Sequence, residues 1–136
     1  MLVLPDRIFE SHSDAVIACQ NLVSVSFGAA AITLNRTREE VGLPLPDPIT
    51  TQRDQWIGLV YQIRNAFAHD ISEPRWEIQK ATYRCHYHVG SVNADLTELH
   101  GRHFQYADIG GAEALFTLRG YANELFFSHR MTDGVK

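Results

Sequence analysis

The apolar positions change their spacing along the chain, and each spacing predicts a different element. Over residues 6–34, Ile8, Phe9, Val16, Ile17, Leu22, Val23, Phe27 and Ile32 recur at helical intervals, so a long helix is expected. Within it Val23-Ser24-Val25-Ser26 alternates as a strand would, and Gly28 follows, so a break is expected near that glycine. Residues 37–41 add a short helical turn. Leu43-Pro44-Leu45-Pro46-Asp47-Pro48 cannot be helical, because proline lacks the N–H and pushes the residue before it to extended geometry. A second helix follows over residues 51–70. Thr51 is its N-cap, and Asp54 sits in the first turn, where the helix dipole favours negative charge.

Beyond residue 70 the period changes from helical to alternating. Ile71-Ser72-Glu73-Pro74 reads as a turn. Residues 75–79 and 83–89 alternate polar and apolar, which predicts strands. Residues 93–100 and 102–106 extend them into a meander, with Gly90 and Gly101 at the turns. Gly110-Gly111 precedes a last helix over residues 112–127, whose apolar positions are Leu115, Phe116, Leu118, Ala122, Leu125 and Phe126. The expected fold is mainly α (α+β): a helical bundle with a small antiparallel β hairpin or meander inserted before the last helix. All of residues 1–136 form one domain, long enough to bury a core without disulfides.

Composition narrows the class. Apolar residues make up 45% and charged residues 21%, ordinary for a soluble globular protein. A formal net charge of −4 and a pI of about 5.9 weigh against a general nucleic-acid coat. A local cationic cleft is still available, since 10 of the 12 basic residues are arginines, whose planar guanidinium suits phosphate. Cys19 and Cys85 have no metal or disulfide spacing and read as reduced, buried thiols of a cytoplasmic protein. The first residues lack the basic and small-residue pattern of a signal peptide. Residues 15–34 are apolar enough to span a bilayer, but Gln20, Asn21, Ser24 and Ser26 favour a buried core helix, so no membrane partner is expected.

The candidate chemistry lies at the end of the second helix, in Arg64-Asn65-Ala66-Phe67-Ala68-His69-Asp70. On a helical wheel with Ile63 at zero, Trp56, Leu59, Val60, Ile63 and Phe67 fall within about 60° of it. Arg64 then lies near 100°, Asn65 near 200° and His69 near 240°, away from that core stripe at ~100° per residue. Asn65 and His69 are i,i+4 neighbours, so the amide is placed to orient the imidazole. Arg64 and His69 are about 140° apart and do not converge readily on one phosphate. Ile57, Tyr61 and Ala68 make a second apolar stripe between them. A two-striped helix tends to bury both stripes, so these three are the expected interface of a symmetric dimer that would bring two Arg64/His69 sets together.

This run resembles the signature of the HEPN superfamily: Arg, then a polar residue (usually Asn), then His after four to six intervening residues. Here the spacing is Arg64-x4-His69 with Asn65 at the polar position. With 10 Arg, 7 His and three allowed spacings, chance alone gives about 1.5 such pairs. Arg7-x4-His12 is a second one, without the Asn. The resemblance is specific over about residues 51–78 and architectural elsewhere, where helices, a β insertion and a closing helix match several HEPN families.

The resemblance implies a metal-independent endoribonuclease without cofactors, working on RNA as a homodimer. Such members often act as toxins or phage-defence effectors with a neutralising antitoxin or regulatory partner. Attack of a 2′-OH on the adjacent phosphate needs a group that moves protons near neutral pH and a cation for the phosphorane. His69 would be the base or acid, with its dimer mate in the other role, Arg64 the cation, and Asn65 would orient His69 or a phosphate. Asp70 would either support His69 or start the following turn. The structural alternative is that His69 caps a helix end and Arg64 makes a surface ion pair. The functional alternative is a non-catalytic module binding RNA, a nucleotide or a protein partner through the same cleft.

Other chemistry is weaker. His86 and His88 share one strand face, and His100 and His103 follow, but no carboxylate completes a known ligand pattern, so no metal is expected. Trp76 and Phe104 could stack bases, although lone aromatics in strands are more often core.

Overall fold

The structure, a computed structural model, describes residues 12–127. Its described elements are three α-helices and one two-stranded antiparallel sheet, a mainly helical α+β fold with the hairpin before the last helix. The expected helix start near residue 6, and Arg7 of the second Arg/His pair, lie outside the described residues.

Helix α1 spans His12–Val41 without interruption. It runs through both Gly28 and the residue 34 boundary, so the expected break does not occur. Its end is set by backbone geometry. Gly42 takes φ +81°, its N–H donates to Glu39 O at 3.0 Å, and Leu43 N–H donates to Arg38 O at 3.1 Å. That pair of bonds is the Schellman closure, which favours glycine at the left-handed position. The proline-rich connection is non-helical, with a bend and a cis peptide bond at Asp47–Pro48, and the Tyr83 hydroxyl anchors it by donating to Pro46 O at 2.7 Å.

Helix α2, Gln52–Ala68, is the centre of the fold. Thr51 and Asp54 form a reciprocal capping box, satisfying N–H groups that a helix start leaves open. Trp56, Leu59, Val60, Ile63 and Phe67 are buried as the wheel predicts. So are Ile57, Gly58, Gln62 and Ala66, so α2 is covered on most of its circumference. Trp56 donates its indole N–H to Leu118 O at 2.6 Å, which ties α2 to the last helix.

The expected meander is reduced to one hairpin. Strands β1 (His86–Val89) and β2 (Val92–Asp95) pair with His86 opposite Asp95 and Val89 opposite Val92. Tyr87, Val89, Val92 and Ala94 turn inward. Gly90 makes the tight turn at φ +57°. Gln52 and Gln55 of α2 hydrogen-bond the backbone of His88 and Gly90, occupying polar groups on the hairpin. The predicted strand over residues 75–79 is extended and alternates as expected, with Trp76 and Ile78 fully buried. It forms only an isolated bridge, Arg75 to His103, with Trp76 N–H to Arg102 O and Gly101 N–H to Trp76 O, both 2.8 Å. The turn at Gly101 leaves its partner segment too short for a ladder.

Helix α3, Ala114–Ala122, begins two residues later than predicted and passes into a π turn over Asn123–Phe127. Phe126 is buried edge-on against Trp56, with centroids 4.8 Å apart. Of the apolar positions of this helix, Leu115, Leu118, Ala122 and Phe126 are buried, whereas Phe116 is 72% exposed.

Two further expectations are corrected. The stretch 15–34 is not a wholly buried core helix: Phe27, Ala31 and Leu34 enter the core, while Val16, Ile17, Leu22, Val23 and Val25 are exposed. Among the described residues, Tyr106 borders this end of α1 near Val16, and Ala112, Leu115 and Phe116 border it near Leu22, which covers it only in part. By length and composition α1 is long and apolar enough to cross a membrane. Cys19 is exposed and Cys85 half-buried, so neither is the fully buried thiol expected.

Candidate functional site

The end of α2 is braced from three sides. Rings of Phe27, Phe67, Phe104, Tyr106 and Trp76 pack with neighbouring centroids 4.9–5.7 Å apart. The segment after α2 is tied back on both flanks. Ser24 Oγ of α1 donates to Ile71 O at 2.7 Å, and Arg75 N–H donates to Ala66 O at 3.1 Å. Between these ties His69 occupies the C-cap position of α2. The aromatic cluster also settles Trp76 and Phe104: both are core, and the Trp76 indole N–H donates to Asp108 Oδ2 at 2.9 Å, so neither is a platform for bases.

His69 is 75% exposed in its side chain, and its Nε2 lies 2.9 Å from Oε2 of Glu77. If Nε2 carries the proton, it donates to the carboxylate, and Nδ1 keeps its lone pair facing solvent. Glu77 was not among the sequence candidates. The strand-like alternation did hold the signal, since Arg75, Glu77 and Gln79 share the outer face of a segment whose Trp76 and Ile78 turn inward. What the alternation lacked was the fold-back that sets this face beside His69.

Arg64 Nη1 donates to Asn65 Oδ1 at 2.9 Å, and both side chains are half-buried. The expected orientation of His69 by Asn65 is therefore corrected: the amide serves Arg64, and Glu77 holds the imidazole. No hydrogen bond or ion pair joins the two pairs, Arg64–Asn65 and His69–Glu77. Asp70 resolves toward the turn. Its Oδ1 accepts from the Ser72 hydroxyl at 2.8 Å and from the Ser72 and Glu73 N–H groups at 3.0 Å. Those bonds, led by the Ser72 hydroxyl, hold its pKa below the usual carboxylate value.

The second apolar stripe of α2 is mostly covered within the chain. Ile57 is 2% exposed, and Tyr61 is half-buried with its ring 6.4 Å from that of Tyr83 and under the Arg38 guanidinium. Only Ala68 is exposed. The 80–95 insertion packs where a dimer partner was expected, so this stripe does not offer a broad interface.

The four clustered histidines go to separate partners. His86 and His88 stack on the exposed face of β1, with centroids 4.2 Å apart, and His86 also bonds Asn93 Oδ1. His100 Nδ1 accepts from Ile78 N–H at 2.9 Å, and His103 Nε2 faces Arg75 Nη2 at 3.1 Å. Among the described residues no three His, Cys, Asp or Glu side chains converge as metal ligands. Comparison of the chain with protein-family models, curated proteins and solved structures found no match.

Proposed function

We propose that this protein is a metal-independent endoribonuclease of the HEPN type, acting in the cytoplasm as a homodimer, in the role of a toxin or defence effector restrained by a partner. The observation that supports it most is the exposed imidazole of His69 with Nε2 held by Glu77 at 2.9 Å, at the end of the helix that also carries Arg64 and Asn65. A carboxylate behind an imidazole fixes its tautomer and leaves the other nitrogen for proton transfer. His69 Nδ1 takes the proton of an RNA 2′-OH as O2′ bonds to the adjacent phosphorus. The P–O5′ bond then breaks, and a protonated His69 from the second copy gives its proton to O5′. The products are a 2′,3′-cyclic phosphate and a 5′-OH. Arg64 stabilises the charge that builds on the phosphoryl oxygens.

The second copy is invoked because Arg64 and His69 lie about 140° apart on one helix and bond different partners within one protomer. Support for a partner copy comes from α1. Its exposed end begins beside Ser24, which is bonded to the turn after His69. No charged residue occurs over residues 15–34, so this surface meets no self-repulsion although the chain carries −4. The part of this run that holds no buried residue, 15–26, is about 18 Å long at 1.5 Å per residue, short of the ~30 Å hydrocarbon layer, and beyond it Phe27, Ala31 and Leu34 are packed into the core. A second copy of the same helix suits it better than a bilayer.

The reading is tested by incubating total RNA with wild type and His69→Ala in EDTA and analysing the ends. Cleavage leaving cyclic phosphates, lost in the variant, is expected. Equal cleavage by both, or none by a dimeric wild type, refutes it. In the second case the alternative is a non-catalytic module binding RNA, a nucleotide or a protein partner. The separation of the Arg64–Asn65 and His69–Glu77 pairs favours that reading.

A further inference from the structure

Two residues from Glu77 on the same outer face, Arg75 opens onto a cleft of about 300 Å³ lined by Arg75, Leu99, Arg102, His103, Gln105 and Asp108. The bridge Arg75–His103 and the turn at Gly101, with φ +85°, fold Arg102 and His103 back toward Arg75. Two guanidinium groups thus border one cleft in a chain of net charge −4. Neither has a carboxylate within ion-pair distance among the described residues. Arg75 spends two of its five N–H donors, on Gly101 O at 2.6 Å and on His103 Nε2 at 3.1 Å, which leaves three. Arg102 makes no side-chain hydrogen bond to a described residue. The acid in the cleft is already engaged: Asp108 Oδ2 accepts from the Trp76 indole and from Gln105 N–H, each at 2.9 Å.

Guanidinium groups without a carboxylate partner are suited to a phosphate, because the fork geometry matches its oxygens, and Arg75 is in addition already held in place. The position fits as well. An extended chain advances about 7 Å over two residues, so the outward side chains of Arg75 and Glu77 stand roughly one nucleotide step apart. Glu77 in turn holds His69. We infer that the Arg75/Arg102 cleft is a phosphodiester subsite, holding a backbone phosphate of single-stranded RNA adjacent to the one presented to His69. Arg75 and Arg102 bind the phosphate oxygens, and His103 steadies Arg75. The choice of RNA as the source of the phosphate rests on the ribonuclease reading; the presence of an anion site does not.

The test uses the full chain carrying His69→Ala, which separates binding from cleavage, and a fluorescein-labelled single-stranded RNA in EDTA. Affinity is measured by anisotropy from 50 to 200 mM NaCl, with and without Arg102→Gln and Arg75→Gln. Arg102 makes no internal bond, so its variant tests the cleft without disturbing the fold, which circular dichroism checks. Each substitution is expected to weaken binding several-fold and to flatten the log Kd against log salt slope by about 0.7, the value for one phosphate contact on a single strand. Unchanged affinity and slope in both variants overturn the subsite. Inorganic phosphate competing as strongly as RNA, per phosphate and through the same arginines, overturns the RNA assignment in favour of a free-phosphate site. Arginine-dependent RNA binding by a wild type that cleaves nothing leaves the subsite standing and removes the ribonuclease reading.

Discussion

Gly28→Ala places the close packing of α1 on the His69 turn under a direct test. An ideal Cβ at Gly28 would lie 2.7 and 2.8 Å from Cγ1 and Cδ1 of Ile71 and 2.9 Å from Cδ1 of Phe67. Ile71 is only half-buried and has room to turn, whereas Phe67 is locked between Phe27 and Phe104. Two effects compete. Alanine in mid-helix gains about 1 kcal/mol over glycine. Forcing a methyl group into a packed contact costs about 1–3 kcal/mol. Because one of the two neighbours cannot move, the cost falls in the upper part of that range, about 2–3 kcal/mol, and a net loss of about 1–2 kcal/mol is expected. For a domain of this size that lowers Tm by roughly 3–8 °C. Urea unfolding of wild type, Gly28→Ala, Ile71→Ala and the double variant measures it. Ile71→Ala removes both of the closest atoms, so the cost of Gly28→Ala should fall by about half in that background. A Gly28→Ala protein as stable as wild type, or a cost unchanged by Ile71→Ala, refutes the packing argument. Since Ile71 follows His69 and Asp70 directly, the proposed ribonuclease reading expects the same variant to cleave RNA more slowly at temperatures where it is fully folded.

Glu77→Gln should change stability by no more than about 0.5 kcal/mol, because an exposed ion pair contributes little. It should nonetheless slow cleavage by about 10-fold or more by loosening His69; a variant with full activity would make the His69–Glu77 contact incidental. On the proposed dimeric ribonuclease reading, Leu22→Glu combined with Val23→Glu should give a monomer by light scattering and abolish cleavage, while a dimer of unchanged mass would place the interface elsewhere. Asp54 offers a pH test. Burial disfavours its charge, but hydrogen bonds from the Thr50 and Thr51 N–H groups and hydroxyls outweigh this and leave its pKa lowered. A lowered folded pKa gives stability that is present above the unfolded value of about 3.9 and is lost as pH falls through the folded one. Asp54→Asn should therefore flatten the acid limb of a stability–pH curve below about pH 4, and an unaltered limb would rule out this contribution. Thr51→Ala, which removes the other half of the capping box, should cost about 1 kcal/mol at neutral pH by urea titration.

The features legible in the sequence were those fixed by near neighbours along the chain. Thr51 and Asp54 announced the start of α2 because a capping box is built within four residues. The stripe from Trp56 to Phe67 announced its buried face because helical period is a local property. Trp76 and Ile78 announced an inward face through strand alternation, and Gly90 a turn. Even the separation of Arg64 from His69 followed from one wheel. Tertiary structure decided which distant groups meet. The fold-back after Asp70 gave His69 to Glu77 rather than to Asn65, and the turn at Gly101 delivered Arg102 and His103 to Arg75. It also decided which apolar surfaces are covered. The 80–95 insertion set Tyr83 against Tyr61 of the second stripe, while the first turns of α1 ran past the end of α2 and left Leu22 and Val23 in the open. Gly28 shows the difference most directly: along the sequence a glycine suggests a break, yet in the fold it is the gap in α1 that admits Ile71. Periodicity says that a face is apolar, but only the packing of the whole chain says what, if anything, lies against it.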